Sequence, residues 1–220
     1  MTRKARPARK LRRRRPFIEP REAVLIVCEG EKTEPNYFNA LWRQLRAPTV
    51  EVEVVGRGAT PITVVNEAVE RRKQRKLDVK AGGARLEFDQ VWCVFDVEQL
   101  GRNESLPRAL DKARGNRLSV ALSNPCFEYW YLLHFERTGS AFLDCSPVIQ
   151  ALRKHLPGYR KGGDVFAKVY SHTENAIERA RGVDRDQWHQ EDDLVKRNPS
   201  TQVYKLVEEL RRISTRPYLA

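Results

Sequence analysis

The 220-residue chain predicts an α/β fold: an open, mainly parallel four-stranded sheet with helices on both faces, followed by a helical C-terminal extension. Three observations carry this expectation. Val24–Cys28 and Val91–Phe95 are unbroken β-prone apolar runs, as expected of strands covered on both faces of a parallel sheet. Segments of helical periodicity separate the strands. Beyond Ser140 the periodic segments are all helical, so the strands are expected to stop there.

The first strand ends at Glu29-Gly30. Thr33-Glu34-Pro35 then supplies helix-start chemistry, and Tyr37, Phe38, Leu41, Trp42 and Leu45 recur at helical spacing before Pro48. Val50–Val55 alternates valine with glutamate, the pattern of a half-exposed strand near a sheet edge. Thr60-Pro61 opens a helix through about Lys76, apolar at Ile62, Val65 and Val69; its basic run Arg71–Lys76 reads as a solvated face. The third strand ends at Asp96-Val97-Glu98. Leu106–Arg114 is helical, Leu118–Leu122 is the fourth strand, and Asn124-Pro125 starts an aromatic helix through about Phe135. Pro147–Leu156, Val165–Arg181 and Thr201–Ile213 make the extension, the last with Val203, Leu206, Val207 and Leu210 on one face. The turn-rich stretch Leu156–Gly163, containing Arg160 and Lys161, is either a substrate or partner loop or solvated surface.

Lys and Arg number 41 against 29 Asp and Glu, a formal charge of +12. Residues 1–15 hold nine basic side chains and no acid, Arg12, Arg13, Arg14 and Arg15 among them, which leaves about +3 for the rest. Residues 1–20 are therefore expected to form a disordered basic tail that offers nucleic acid a sequence-blind, salt-sensitive attraction. The longest apolar run, Ala23–Cys28, falls far short of the ~20 residues that span a bilayer, and no apolar segment follows the basic start as in a secretory signal. Pro7 and the lack of helically spaced apolar residues argue against a transit peptide. A cytoplasmic location is expected. Cys28, Cys93, Cys126 and Cys145 have no metal-ligand spacing and read as buried, reduced thiols.

In an open α/β sheet, ligands sit outside the carboxyl ends of the strands. Both continuous apolar strands end in acids at that edge, the first at Glu29 and the third at Asp96 and Glu98. Residues two apart on extended backbone project to one side, so Asp96 and Glu98 converge. Carboxylates gathered at one point repel unless a cation is present, and hard oxygen ligands suit Mg²⁺ or Mn²⁺. Glu29, Asp96 and Glu98 are thus the candidate metal ligands and catalytic residues. Glu31, Glu34, Lys32 and Glu128 are candidates to support the metal or hold substrate, with Lys32 suited to a phosphate.

At these residues the chain resembles the RloB family. Val24–Phe38, containing Cys28-Glu29-Gly30-Glu31-Lys32-Thr33-Glu34-Pro35, is similar to the family's first signature. Val94–Glu98, Asn124–Trp130 and Asn198-Pro199-Ser200-Thr201 resemble its later blocks. The resemblance implies a Toprim-like (Rossmann-like) fold, with Glu29-Gly30 as the first Toprim element and Asp96-Val97-Glu98 as the second, Glu98 standing where the pattern has Asp. It implies residues 21–138 as the Toprim-like catalytic domain and 139–220 as a helical extension packed on it. It further implies a nuclease, RNA such as tRNA being favoured over DNA, that serves as a phage-defence effector of the abortive-infection type beside an ABC/SMC-like or AAA ATPase partner.

Two other readings are weighed against it. A catalytically idle Toprim-like adaptor would bind nucleic acid or an ATPase without needing a metal. A small-nucleotide phosphotransferase lacks a phosphate cradle: Gly30-Glu31-Lys32-Thr33 imitates a phosphate loop, but that pattern requires glycines where Ile26 and Glu31 stand. His134, His155, His172 and His189 have no partner spacing.

Overall fold

Side chains of β1 (Glu22–Cys28) are buried on both faces: Val24, Ile26 and Cys28 join one apolar layer, Leu25 and Val27 the other. Such a strand must be central. In the computed structural model, which describes residues 22–47, 50–56, 60–97, 105–189, 191 and 193–215, β1 pairs in parallel with β2 (Val50–Gly56) and with β3 (Gln90–Asp96). β4 (Ser119–Asn124) runs parallel to β3. The expected tail, residues 1–20 with Arg12, Arg13, Arg14 and Arg15, lies outside the described residues, and so does Glu98.

Helix α1 (Thr33–Leu45) leads from β1 to β2 on one face, burying Tyr37, Phe38 and Leu41 against Val24 and Ile26. Helix α2 (Pro61–Lys80) crosses the opposite face from β2 to β3, burying Val64, Val65 and Ala68 against Leu25 and Val27. On that second face α3 (Ser105–Gly115) adds Leu106, Ala109 and Ala113. The chain therefore leaves β1 toward one side and reaches β3 on the other.

Edge strand β2 behaves as its alternation predicts, with Val52 and Val54 packed on the α1 layer. Its glutamates do not simply face water. Arg75 is buried and places Nη2 2.9 Å from both Glu51 Oε1 and Glu53 Oε2, while Arg71 Nη1 lies 2.7 Å from Glu53. Part of the basic run on α2 is thus structural, a correction to the solvated face expected from charge alone.

The sheet has five strands among the described residues, in the order β2-β1-β3-β4-β5, where four were expected. β5 (Ser200–Thr201) pairs antiparallel with β4 through Ser123↔Thr201 and Asn124↔Ser200. Two residues are too few to show a period in sequence. The aromatic helix, α4 (Glu128–Leu133), starts later than Asn124: the Asn124–Pro125 peptide is cis, and Pro125–Phe127 turn before Glu128 opens the helix.

The C-terminal helices α5 (Cys145–His155), α6 (Phe166–Val169), α7 (Thr173–Trp188) and α8 (Val203–Ser214) cover the α1 face. Val148, Leu152, Ala176, Leu206 and Leu210 join the layer built on Tyr37 and Phe38. The single helix expected over 165–181 is divided by a 3-10 turn at Tyr170–His172. Cys28 and Cys93 are buried and free, as expected. Cys126 and Cys145 instead form a disulfide, their Cα atoms 5.6 Å apart, because the turn before α4 sets Cys126 against the first residue of α5. No helix of the described residues is long and apolar enough to cross a membrane.

Candidate metal and substrate pocket

Because α1 and α2 leave the central strands on opposite faces, a crevice opens where β1 and β3 end side by side. The Glu29 N–H donates to Val94 O at 2.9 Å, carrying the pairing past the end of β1. Glu29 then turns its carboxylate across the gap: Oε2 accepts the Asp96 N–H at 3.0 Å. Two of the predicted ligands are thereby locked together at one sheet edge. The third, Glu98, lies outside the described residues.

Glu34 folds back from the first turn of α1. Its Oε1 accepts the Gly30 N–H at 3.1 Å, and the carboxylate occupies the place where a side chain on residue 30 would begin, 2.1 Å from an added Cβ. A side chain on residue 30 would have to push the Glu34 carboxylate aside, so glycine suits this position through that close approach rather than through its own backbone angles. Gly56, at the end of β2, is held similarly: a Cβ there would meet Gly30 O at 2.7 Å and Glu31 O at 2.8 Å.

Glu128, buried at the first position of α4, supplies a fourth carboxylate. Its Oε1 accepts the Tyr159 hydroxyl at 3.0 Å, with Lys161 Nζ at 3.9 Å. Its Oε2 lies 3.2 Å from Cys145 Sγ, a contact without a hydrogen because that sulfur is in the disulfide. Cys126, Glu128 and Cys145 bring three donor atoms within 4.8 Å of one another, but the sulfurs are spent on each other and do not act as thiolate ligands in this form.

These acids surround a cavity of about 550 Å³. Burial drives the Asp96 carboxyl well above its ordinary range, and the charges of Glu34, Glu128 and Glu29 drive it further, against one opposing backbone N–H from Phe127. Glu34 is raised as well, chiefly by burial, with Glu128 adding to the shift and its own backbone, the Gly30 N–H and Lys161 opposing it. Asp96 Oδ1 is buried and has no hydrogen-bond partner among the described residues. An acceptor-only oxygen left unpaired among carboxylates fits a divalent cation, whose charge offsets their repulsion and whose preference is for oxygen ligands. Glu29 and Asp96 would be the residues to hold such an ion, with Glu34 and Glu128 beside them.

Glu31 and Lys32 are exposed at the rim. The pocket also draws on the turn-rich stretch that the sequence left open between a substrate or partner loop and solvated surface. The Gly158–Gly163 loop folds over the start of α1: the Gly162 N–H donates to Thr33 Oγ1 at 2.9 Å, and Asn36 Nδ2 donates to Gly162 O at 3.2 Å. Lys161 and Gly162 thereby line the cavity. The signal for them was a lysine between glycine-rich turns, which is also the signature of an ordinary surface loop.

The family profile described as RloB-like protein matches residues 24–210, a span that takes in every residue of this pocket. No curated protein and no solved structure matches the chain.

Proposed function

The chain belongs to the RloB-like family, and from that premise we propose that it is a divalent-cation-dependent endonuclease on a Toprim-like fold, cutting RNA such as tRNA in preference to DNA. Family resemblance supports a further role as the toxic effector of an anti-phage abortive-infection system, working beside an ABC/SMC-like or AAA ATPase. The observation that carries the chemistry is the buried Asp96 Oδ1, without a hydrogen-bond partner among the described residues, amid the Glu29, Glu34 and Glu128 carboxylates.

Held by Glu29 and Asp96, Mg²⁺ or Mn²⁺ would supply Lewis-acid polarisation of a phosphate oxygen and would acidify an attacking water. The protein's own contribution is orientation and proton handling. The Asp96 N–H fixes the Glu29 carboxylate, so the pair is ordered before substrate arrives. Glu34, raised by burial, holds a proton to higher pH than an exposed glutamate; with Oε1 engaged by Gly30, Oε2 is the atom suited to donate it to a leaving oxygen. Glu128 anchors the loop that closes the pocket through Tyr159, whose hydroxyl stays protonated because burial and the Glu128 charge both raise its pKa.

The experiment is cleavage of end-labelled tRNA, unstructured RNA and DNA by the purified chain with Mg²⁺ or Mn²⁺, with and without its ATPase partner. Cleavage is expected, lost at least ~100-fold in Glu29→Ala and Asp96→Asn, as for removal of a group that acts in the chemical step. No cleavage with the partner present, or undiminished cleavage by Glu29→Ala, rules the nuclease out. Calorimetry separates the idle adaptor, which need not bind Mg²⁺ at all.

A further inference from the structure

We propose that Lys161 and Lys32 form a phosphate subsite at the mouth of the carboxylate pocket, holding a backbone phosphate of the bound nucleic-acid strand; the proposal rests on the nuclease reading and names how its substrate is gripped. Among the described residues lining the cavity, these two carry the only basic side chains, and they come from two separate segments of the chain. Lys32 precedes α1, whereas Lys161 lies on the loop between α5 and α6.

The two segments are fitted to each other. A Cβ on Gly162 would stand 3.1 Å from Lys32 Cβ and 3.2 Å from its Cδ, so the missing side chain makes room for the lysine stem. Gly162 also has φ of +75°, a conformation glycine adopts without steric cost. Three hydrogen bonds fix the loop on either side of Lys161: Tyr159 Oη to Glu128, the Gly162 N–H to Thr33 Oγ1, and Asn36 Nδ2 to Gly162 O. Such anchoring sets where the ammonium can go, and a preset cation loses less freedom on gripping a ligand.

Lys161 is not consumed by this architecture. Its side chain is 59% exposed, and Nζ stands 3.9 Å from Glu128 Oε1, outside hydrogen-bond range. An ammonium has three N–H donors to offer. The ligand that suits it must be anionic yet tolerate a floor of carboxylates. A phosphodiester does so, because its two non-bridging oxygens let one face the cation end of the pocket while the other meets the lysines. A halide has no such division.

The test is fluorescence anisotropy of labelled single-stranded RNA and DNA with the full chain, in Ca²⁺ and at about 0.3 M salt, where attraction from distant surface charge is largely screened. Lys161→Met and Lys32→Met are each expected to weaken binding by about tenfold, with Lys161→Arg within about threefold of wild type, since charge-assisted contacts are worth that much. The salt dependence should lose about one phosphate contact per lysine removed. If the wild type cleaves, Lys161→Met should raise KM more than it lowers kcat. Affinity of Lys161→Met within about twofold of wild type overturns the subsite and leaves Lys161 a counter-ion of Glu128; equal loss in the Met and Arg variants overturns it too. Binding decides this even if no cleavage is seen, whereas binding retained by Asp96→Asn without cleavage bears on the nuclease reading alone.

Discussion

Asp96 stands where burial and three neighbouring carboxylates all oppose its negative charge. Its folded pKa, like that of Glu34, is raised above the unfolded value, so the stability these groups contribute is present below the ordinary carboxylate range and is lost as pH rises through the folded values. Without a cation the folded chain should therefore weaken as pH rises above the ordinary carboxylate range, and Asp96→Asn should remove much of that slope. At neutral pH the variant is expected to melt about 3 °C higher than wild type in cation-free buffer, the shift that ~1 kcal/mol gives in a chain of this size, while Mg²⁺ should stabilise only the wild type. Scanning calorimetry measures both, and a variant less stable than wild type without metal contradicts the account. Glu29 and Asp96 were legible in sequence because an acid ending a continuous apolar strand is visible locally. The loop holding Tyr159 and Lys161 stayed open between substrate loop and solvated surface, since its partners Glu128 and Thr33 are 31 to 129 positions distant and loops have no period to read.

Among the elements, strands β1 to β4 and helices α1 to α3 follow from apolar runs and 3.6-residue spacing. The departures are elements whose cause is tertiary. β5 exists because Ser200 and Thr201 meet the free edge of β4, and a hydroxyl pair, Ser123 Oγ and Thr201 Oγ1 at 3.0 Å, marks the contact. α4 is shortened by the turn that holds Cys126 against α5. That disulfide closes a 19-residue separation, for which loop-closure entropy predicts a stabilisation of about 3 kcal/mol. Urea unfolding with and without dithiothreitol should show that difference in the wild type and none in Cys145→Ser. Identical midpoints under both conditions would mean that the bridge does not form in solution. Because Cys145 Sγ touches Glu128 Oε2, reduction also returns a thiol hydrogen to that contact, tying the state of the bridge to the wall of the pocket.

At the scale of the molecule, charge and chemistry are separated. About three quarters of the formal +12 belongs to residues 1–15, whereas the pocket is dominated by acids. Deleting residues 1–15 is expected to lower nucleic-acid affinity and flatten its salt dependence, leaving cation-dependent turnover of saturating substrate unchanged. Loss of that turnover on deletion would give the tail a direct part in the reaction. The separation was readable from composition, and the placement of the acids from the order of strands. The closing of the pocket by a distant loop was not, because it depends on how α5 and α6 settle on α1.

The pocket draws on residues 29–34, 96, 127–128 and 161–162, and the free edge of β4 is covered only when residues 200–201 arrive in a chain of 220. A chain still being synthesised has its acids in place long before the loop and the last strand leave the ribosome. The order of the sequence thus sets the acids of the pocket ahead of the loop that closes it, so the site is completed from its floor outward.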